Sequence, residues 1–107
     1  MNIPTSPTLN IDRLPVVVRQ DLQRILEILK RHGAQRIILY GSYARGTATP
    51  VSDLDLCEEG IPATNYFRAW AECLMIANIP VSILDLASVK GYLRERILRE
   101  GKVLYAA

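Results

Sequence analysis

Two aspartates, Asp53 and Asp55, stand at i and i+2, ten residues beyond a Gly41-Ser42 pair that closes an apolar run. On a strand the side-chain period is two, so both carboxylates face one way. Two carboxylates aimed at one point repel each other unless a cation joins them. Magnesium suits such a pair, because it takes oxygen ligands and fills its shell with waters and substrate phosphates. Gly41 has no Cβ, so its backbone can approach a triphosphate closely and reach φ > 0. Ser42 offers a hydroxyl, and residues 42–46 read as the start of a short helix whose free N–H groups favour an anion. Arg45 adds a forked cationic donor for phosphate, and Ser52 can orient the turn into Asp53. One or two magnesium ions on Asp53 and Asp55 could bridge an attacking hydroxyl and a triphosphate for in-line displacement. Each half alone is commonplace: Gly-Ser after a strand is ordinarily a turn, and Asp-Leu-Asp ordinarily a half-exposed strand face. Together, with strand signals on both sides, they specify a cradle for a nucleoside triphosphate and a metal.

The surrounding elements must bring these residues together. After Pro15, the residues Val18, Leu22, Ile25, Leu26 and Leu29 fall on one helical face, and Gly33 is a plausible stop, with the helix ending near His32. Residues 36–40 form a short, continuously apolar run that reads as a buried strand ended by Gly41. Residues 53–58 alternate as a strand with two unlike faces. Phe67, Trp70, Ala71, Leu74 and Ala77 give a second helical stripe, and residues 81–86 a third strand. Ser88 is placed as the cap of a last helix carrying Val89, Leu93 and Ile97, with Gly101 as its stop. Lys102 to Tyr105 is a candidate terminal strand. The Asp55 strand, the second helix and the Val81 strand make a β-α-β unit, so those two strands should be parallel. For Gly41-Ser42 to share a site with the aspartates, the first two strands must instead run antiparallel. The expected fold is α/β in the mixed, α+β sense: one small domain over residues 12–107, a mixed sheet with flanking helices, and a flexible arm over residues 1–11. A doubly wound parallel sheet is excluded.

Bulk properties narrow the function classes. The chain has 107 residues, 13 Lys and Arg against 11 Asp and Glu, and a net charge of +2. That charge is too small to argue for non-specific nucleic-acid binding. No apolar run reaches the roughly 20 residues of a membrane span, and the N-terminus lacks the basic start and apolar stretch of a signal peptide. The expected location is therefore the cytoplasm, with Cys57 and Cys73 as reduced, mostly buried thiols. His32 is expected to cap or sit exposed at a helix end. Tyr43 reads equally as a contact to a base or ribose and as a surface residue. Tyr66, Phe67 and Trp70 read as core or partner-facing, Glu58 and Glu59 as a solvated strand end that could approach the metal region, and Arg94, Arg96 and Arg99 as surface charges with a secondary role open to them in partner contact.

Gly41-Ser42-x10-Asp53-x-Asp55, with Ala44-Arg45-Gly46 inside it and Ser52 before the aspartates, resembles the signature of the DNA polymerase beta-like nucleotidyltransferase superfamily. The short chain and the Ser52-Asp53-x-Asp55-Leu56 form are most similar to its minimal nucleotidyltransferases, over about residues 16–105. The resemblance implies a nucleotidyltransferase fold and a magnesium-dependent transfer of a nucleotidyl group, usually AMP from ATP, to a hydroxyl with release of pyrophosphate. It also implies a partner, a small helical HEPN protein that such an antitoxin modifies and silences within a toxin–antitoxin pair. A domain this small cannot enclose both a triphosphate and an acceptor, so a partner or a second copy should complete the acceptor pocket.

The match departs from the family at one position. The family pattern after the second long helix is Val-Asp-x-x-Asp-x, and its first aspartate is a third carboxylate that helps hold the metal and activates the attacking hydroxyl. Here the stretch reads Val81-Ser82-Ile83-Leu84-Asp85-Leu86, which places Ser82 at the third-carboxylate position. Asp85 lies three residues on, facing the other way, and suits the start of the last helix. The alternative function is therefore a catalytically impaired subunit that binds nucleotide and partner but turns over slowly.

Overall fold

The computed structural model describes residues 11–107. The arm expected over residues 1–11 lies, apart from Ile11, outside the described residues. Ile11–Arg13 forms a 3-10 turn leading into α1 (Val16–Arg31). Then follow β1 (Arg36–Tyr40), the one-turn helix α2 (Ser42–Arg45), β2 (Leu54–Glu59), α3 (Ala63–Ile76), β3 (Val81–Asp85), a second 3-10 turn (Leu86–Ser88), α4 (Gly91–Glu100) and β4 (Lys102–Ala106).

The four strands form one mixed sheet in the order β3-β2-β1-β4. β1 runs antiparallel to β2 and to β4, and β2 runs parallel to β3, as the shared-site argument and the β-α-β rule each require. α1 and α3 cover one face, where Val18, Leu22, Ile25 and Leu29 bury against Ile37, Leu39, Leu54, Leu56 and Ile83. α4 covers the other, where Ile97 meets Ile38, Cys57, Leu86 and Val89. Cys57 and Cys73 are buried free thiols, and burial pushes each up to about 12.

α1 ends as Gly33 demands. Gly33 takes φ 107°, its N–H bonds to the carbonyl of Lys30 at 3.0 Å, and the N–H of Ala34 bonds back to that of Leu29 at 3.0 Å. This pair closes the helix and turns the chain into β1. His32 sits at this end, with its Nε2 3.0 Å from Oε1 of Glu72 on α3. A second anchor was hidden in the apolar stripe of α1. Asp21 is wholly buried, and its carboxylate accepts the Asn78 N–H at 2.7 Å, the Asn78 Nδ2 at 2.9 Å and the Ile79 N–H at 3.0 Å. It thereby fixes the loop into β3, and the next carbonyl, of Pro80, receives the N–H of Leu54 at 2.9 Å. The start of the aspartate strand is thus tied to α1 through one buried carboxylate.

Several expectations need correction. α3 does not bury the stripe of Phe67, Trp70, Ala71 and Leu74: Phe67 is 70% exposed and Leu74 46%. Its buried ridge is Ala69 and Cys73, with Tyr66 and Trp70 partly covered beside it. Small side chains let α3 approach closely but carry little weight in a hydrophobicity pattern. Ser88 does not cap α4, whose N-cap is Lys90. Ser88 belongs to the preceding 3-10 turn, which Asp85 caps by accepting the Ala87 N–H at 3.1 Å. Gly101 does end α4, but for want of space: a Cβ there would lie 2.3 Å from Ile38 Cγ2 and 2.4 Å from the Ile97 carbonyl. β2 begins at Leu54, so Asp53 stands just ahead of it.

Glu58, expected in solvent, is wholly buried on the α1–α3 face. One carboxyl oxygen accepts the Ile61 N–H at 3.1 Å, while Oε2 has no partner. Burial pushes the group up from 4.5 to about 7, and the neighbouring carboxylates of Asp85 and Glu59 add to the rise. The folded chain thus holds this proton more tightly than the unfolded chain. Its stabilising share is full below pH 4.5 and is lost as pH rises through about 7, on the order of 3 kcal/mol in all. Glu58→Gln removes the buried charge. It is expected to raise stability at pH 8 while changing it little at pH 4, a difference that urea denaturation at the two pH values would measure.

Candidate active site

Register brings the two halves of the sequence motif together. Tyr40, the last residue of β1, is the cross-strand partner of Asp55, and Asp55 is the partner of Ser82 on β3. Tyr40, Asp55 and Ser82 therefore form a row across three strands, on the face that α4 covers. Directly after Tyr40, Gly41 adopts φ 76°, ψ −157°, a conformation almost confined to glycine. The space beside it is equally exclusive: a Cβ would sit 2.3 Å from Oδ2 of Asp55. The Gly-Ser turn and the second aspartate are thus in contact distance, and the missing Cβ is what permits it.

α2 starts on this turn. The carbonyl of Gly41 receives the N–H groups of Ala44 and Arg45, both at 3.1 Å. The N–H groups of Ser42 and Tyr43 are left without intrahelical partners, as at any helix start. Gly46 closes α2 in the left-handed conformation. The loop to β2 is organised by Ser52, whose Oγ accepts the Thr49 N–H at 2.8 Å. Tyr43, read as either a nucleotide contact or a surface residue, is not at the surface. It is buried in the main core.

These residues border a cleft of about 280 Å³, lined by Tyr40, Gly41, Ser42, Arg45 and Asp55 on one side and by Leu93, Arg96, Ile97 and Glu100 of α4 on the other. That is at the small end of the roughly 300–1,000 Å³ of small-molecule sites: room for a phosphate chain but not for a nucleotide together with its acceptor. Tyr40 and the α4 residues escaped the sequence reading. The signal for α4 was available in principle, since residues 93, 96, 97 and 100 share one helical face. Arg96 is thereby corrected from a surface charge to a cleft residue. Arg94 also has a fixed role, its Nη1 donating to the Leu86 carbonyl at 2.6 Å.

The electrostatics match the geometry. The Asp55 carboxyl is raised from its ordinary value, first by burial and then by the charge of Asp53, while Arg45 opposes the rise. Two carboxylates close enough to repel, next to a glycine that leaves Asp55 its room, fit a divalent cation that takes its remaining ligands from water and phosphate. No group of three or more His, Cys, Asp and Glu that could hold a metal unaided occurs among the described residues. Tyr40 is pushed up to about 12 by burial, then by Asp55 and Cys57, with hydrogen bonding to Ser82 pulling the other way. Its phenol therefore stays protonated, a donor at neutral pH.

Ser82 occupies the position beside Asp55, and Asp85 does not replace it. Asp85 pairs with Glu58, three residues along the strands, and its oxygens serve the Ala87 N–H and the Ser88 hydroxyl. No helix among the described residues is long and apolar enough to cross a membrane.

Comparison with known proteins addresses the same stretch. A protein from Methanocaldococcus jannaschii, provisionally named a protein adenylyltransferase, is 32% identical over 81 residues, covering 73% of this chain and 87% of its own. A solved structure provisionally described as a minimal nucleotidyltransferase superposes with a TM-score of 0.67 at 27% identity, covering 90% of this chain and 97% of that one. The MNT antitoxin of Shewanella oneidensis, solved in complex with a tri-AMPylated HEPN toxin, shares the fold with a TM-score of 0.63 at 19% identity, over 83% of this chain and 72% of that one. The family model described as "Polymerase beta, Nucleotidyltransferase" matches residues 23–107. It runs through the Gly-Ser turn, both aspartates and the α4 wall, and the chain belongs to this nucleotidyltransferase family.

Proposed function

We propose that this chain transfers an adenylyl group from ATP to a hydroxyl of a helical, HEPN-type protein, as the antitoxin of a toxin–antitoxin pair, at a rate limited by Ser82. The observation that carries the reading is the contact of Gly41 with Asp55, which puts the phosphate-binding turn and one carboxylate on a shared cleft, with Asp53 near enough for its charge to act on Asp55. Gly41, Ser42 and Arg45 bind phosphates; Asp53 and Asp55 hold magnesium. The metal would supply charge neutralisation at the triphosphate and lower the cost of ionising the acceptor hydroxyl. In the transfer the acceptor oxygen bonds to the α-phosphorus, pyrophosphate departs, and the hydroxyl proton passes to a base. Asp55 faces this centre, but the neighbouring position that would carry a further carboxylate holds Ser82, which is no base at neutral pH.

The named activity of the Methanocaldococcus relative supports adenylyl as the group moved. The Shewanella complex supplies a precedent for the acceptor. The small cleft supports an acceptor surface brought by a partner or by a second copy of this chain, in the cytoplasm, on a domain spanning residues 12–107. Incubation with α-labelled ATP, magnesium and the HEPN-type protein is expected to label that protein slowly. Absence of label with every divalent metal and partner tried, from the natural chain and from Ser82→Asp alike, would sink the enzyme reading. A second reading, a nucleotide- and partner-binding subunit with negligible turnover, is favoured by Ser82 in the Asp55 row. It predicts ATP binding without labelling by the natural chain.

A further inference from the structure

The cleft has two arginines, and they are held differently. Arg45 stands exposed at the end of α2 and acts on Asp55. Arg96 stands on the α4 wall, where its Nε donates to Oε2 of Glu100 at 3.1 Å. Both side chains are only partly exposed, 40% and 35%, and both line the cleft that Gly41, Ser42 and Asp55 open onto. The Arg96 guanidinium lies over the Tyr92 ring, 5.9 Å from its centroid, and its two Nη groups border the cleft without a hydrogen bond to protein among the described residues.

The wall that carries the pair is rigidly placed. Ile97 is fully buried between Arg96 and Glu100, and Gly101 packs so closely on β1 that no Cβ fits. Glu100 also has a second cation nearby, Nη2 of Arg99 at 3.9 Å. It would keep a counter-charge if Arg96 turned away.

We infer that Arg96 is a phosphate-binding side chain of the nucleotide site, held in reserve by Glu100 and released to the triphosphate when nucleotide enters. The inference rests on the nucleotide reading above. Its energetic basis is an asymmetry. A partly exposed i, i+4 ion pair contributes little, whereas a forked, charge-assisted bond from arginine to phosphate is among the stronger polar contacts. The exchange therefore runs towards phosphate, and Arg99 prevents Glu100 from being stranded beside the incoming negative charge. Glu100 acts through Arg96, as a positioning residue. In the free protein it cancels a charge that would otherwise attract any passing anion.

The test is calorimetric titration of a non-hydrolysable ATP analogue with magnesium into the natural chain, Arg96→Ala, Glu100→Gln and the double variant. Arg96→Ala is expected to bind about tenfold more weakly. Glu100→Gln is expected to bind about threefold more tightly, a gain that misfolding cannot mimic, and the double variant should match Arg96→Ala. Binding by the natural chain that neither single change alters overturns the inference and leaves the nucleotide reading standing. An equal gain from Glu100→Gln with and without Arg96 also overturns it, because Glu100 would then act as a simple charge. No binding by any of the four proteins overturns the nucleotide reading and the inference with it.

Discussion

Gly41→Ala is expected to cut adenylyl transfer by about 10²-fold, and nucleotide affinity with it, while the chain still folds. Two separate facts lead to this. The backbone at Gly41, φ 76° and ψ −157°, is a region where a side chain costs on the order of 1–3 kcal/mol. Independently, the new methyl would meet Oδ2 of Asp55 at 2.3 Å, so either the carboxylate or the turn must move by a sizeable part of an ångström. Displacements of that order between reacting groups are enough for a 10²-fold loss. Gly46→Ala is the matched control. Gly46 also has positive φ, 77°, but a Cβ there meets nothing within 4 Å. It should cost about 1 kcal/mol of stability and leave transfer within a few-fold. Equal activities for the two variants would show that backbone strain alone, and not the reserved space at Asp55, governs the site.

The same contact shows why so much of the site was legible beforehand. Gly41 and Asp55 are far apart in sequence, but β1 and β2 can bring them together only by running antiparallel, and the helical crossover of the β-α-β unit makes β2 and β3 parallel. Topology followed from a chemical requirement and one connection rule, and the row Tyr40, Asp55, Ser82 is its direct product. The α4 wall was less legible because Arg96 and Glu100 look like any i, i+4 surface pair. Only the close approach allowed by Gly101 turns that helical face towards the cleft. Glu58 and Asp21 escaped for the opposite reason. A carboxylate in a sequence is presumed wet, and nothing local signals that Ile61, Asn78 and Ile79 will supply the N–H groups that let one be buried. α3 was misread because its packing ridge, Ala69 and Cys73, is made of small residues, and Phe67 and Leu74 outweigh them in any hydrophobic pattern although they face out.

Ser82→Asp is expected to raise magnesium-dependent transfer by about 10²-fold, and up to 10⁴-fold if proton removal from the acceptor limits the natural chain. The register makes this a test of chemistry and not of placement. Ser82 is already paired with Asp55 across two parallel strands, so an aspartate there needs no backbone movement to join the carboxylate row. Its oxygens gain a donor as well, since the Tyr40 phenol beside Ser82 carries a proton at neutral pH that a carboxylate can accept. The cost falls on the metal-free protein. A third negative charge beside Asp53 and Asp55 raises the carboxyl of Asp55 further, so the variant should be less stable than the natural chain without magnesium and should recover stability as magnesium is added. A two-part signature follows, faster labelling of the acceptor and a larger magnesium-induced rise in melting temperature. Asp85→Asn, by contrast, should leave labelling unchanged, because Asp85 serves the 3-10 turn and not the cleft. A natural chain already as fast as Ser82→Asp would mean that the serine is no impairment. In that case the acceptor's proton leaves by another route, with Asp55 as the one carboxylate already in the row.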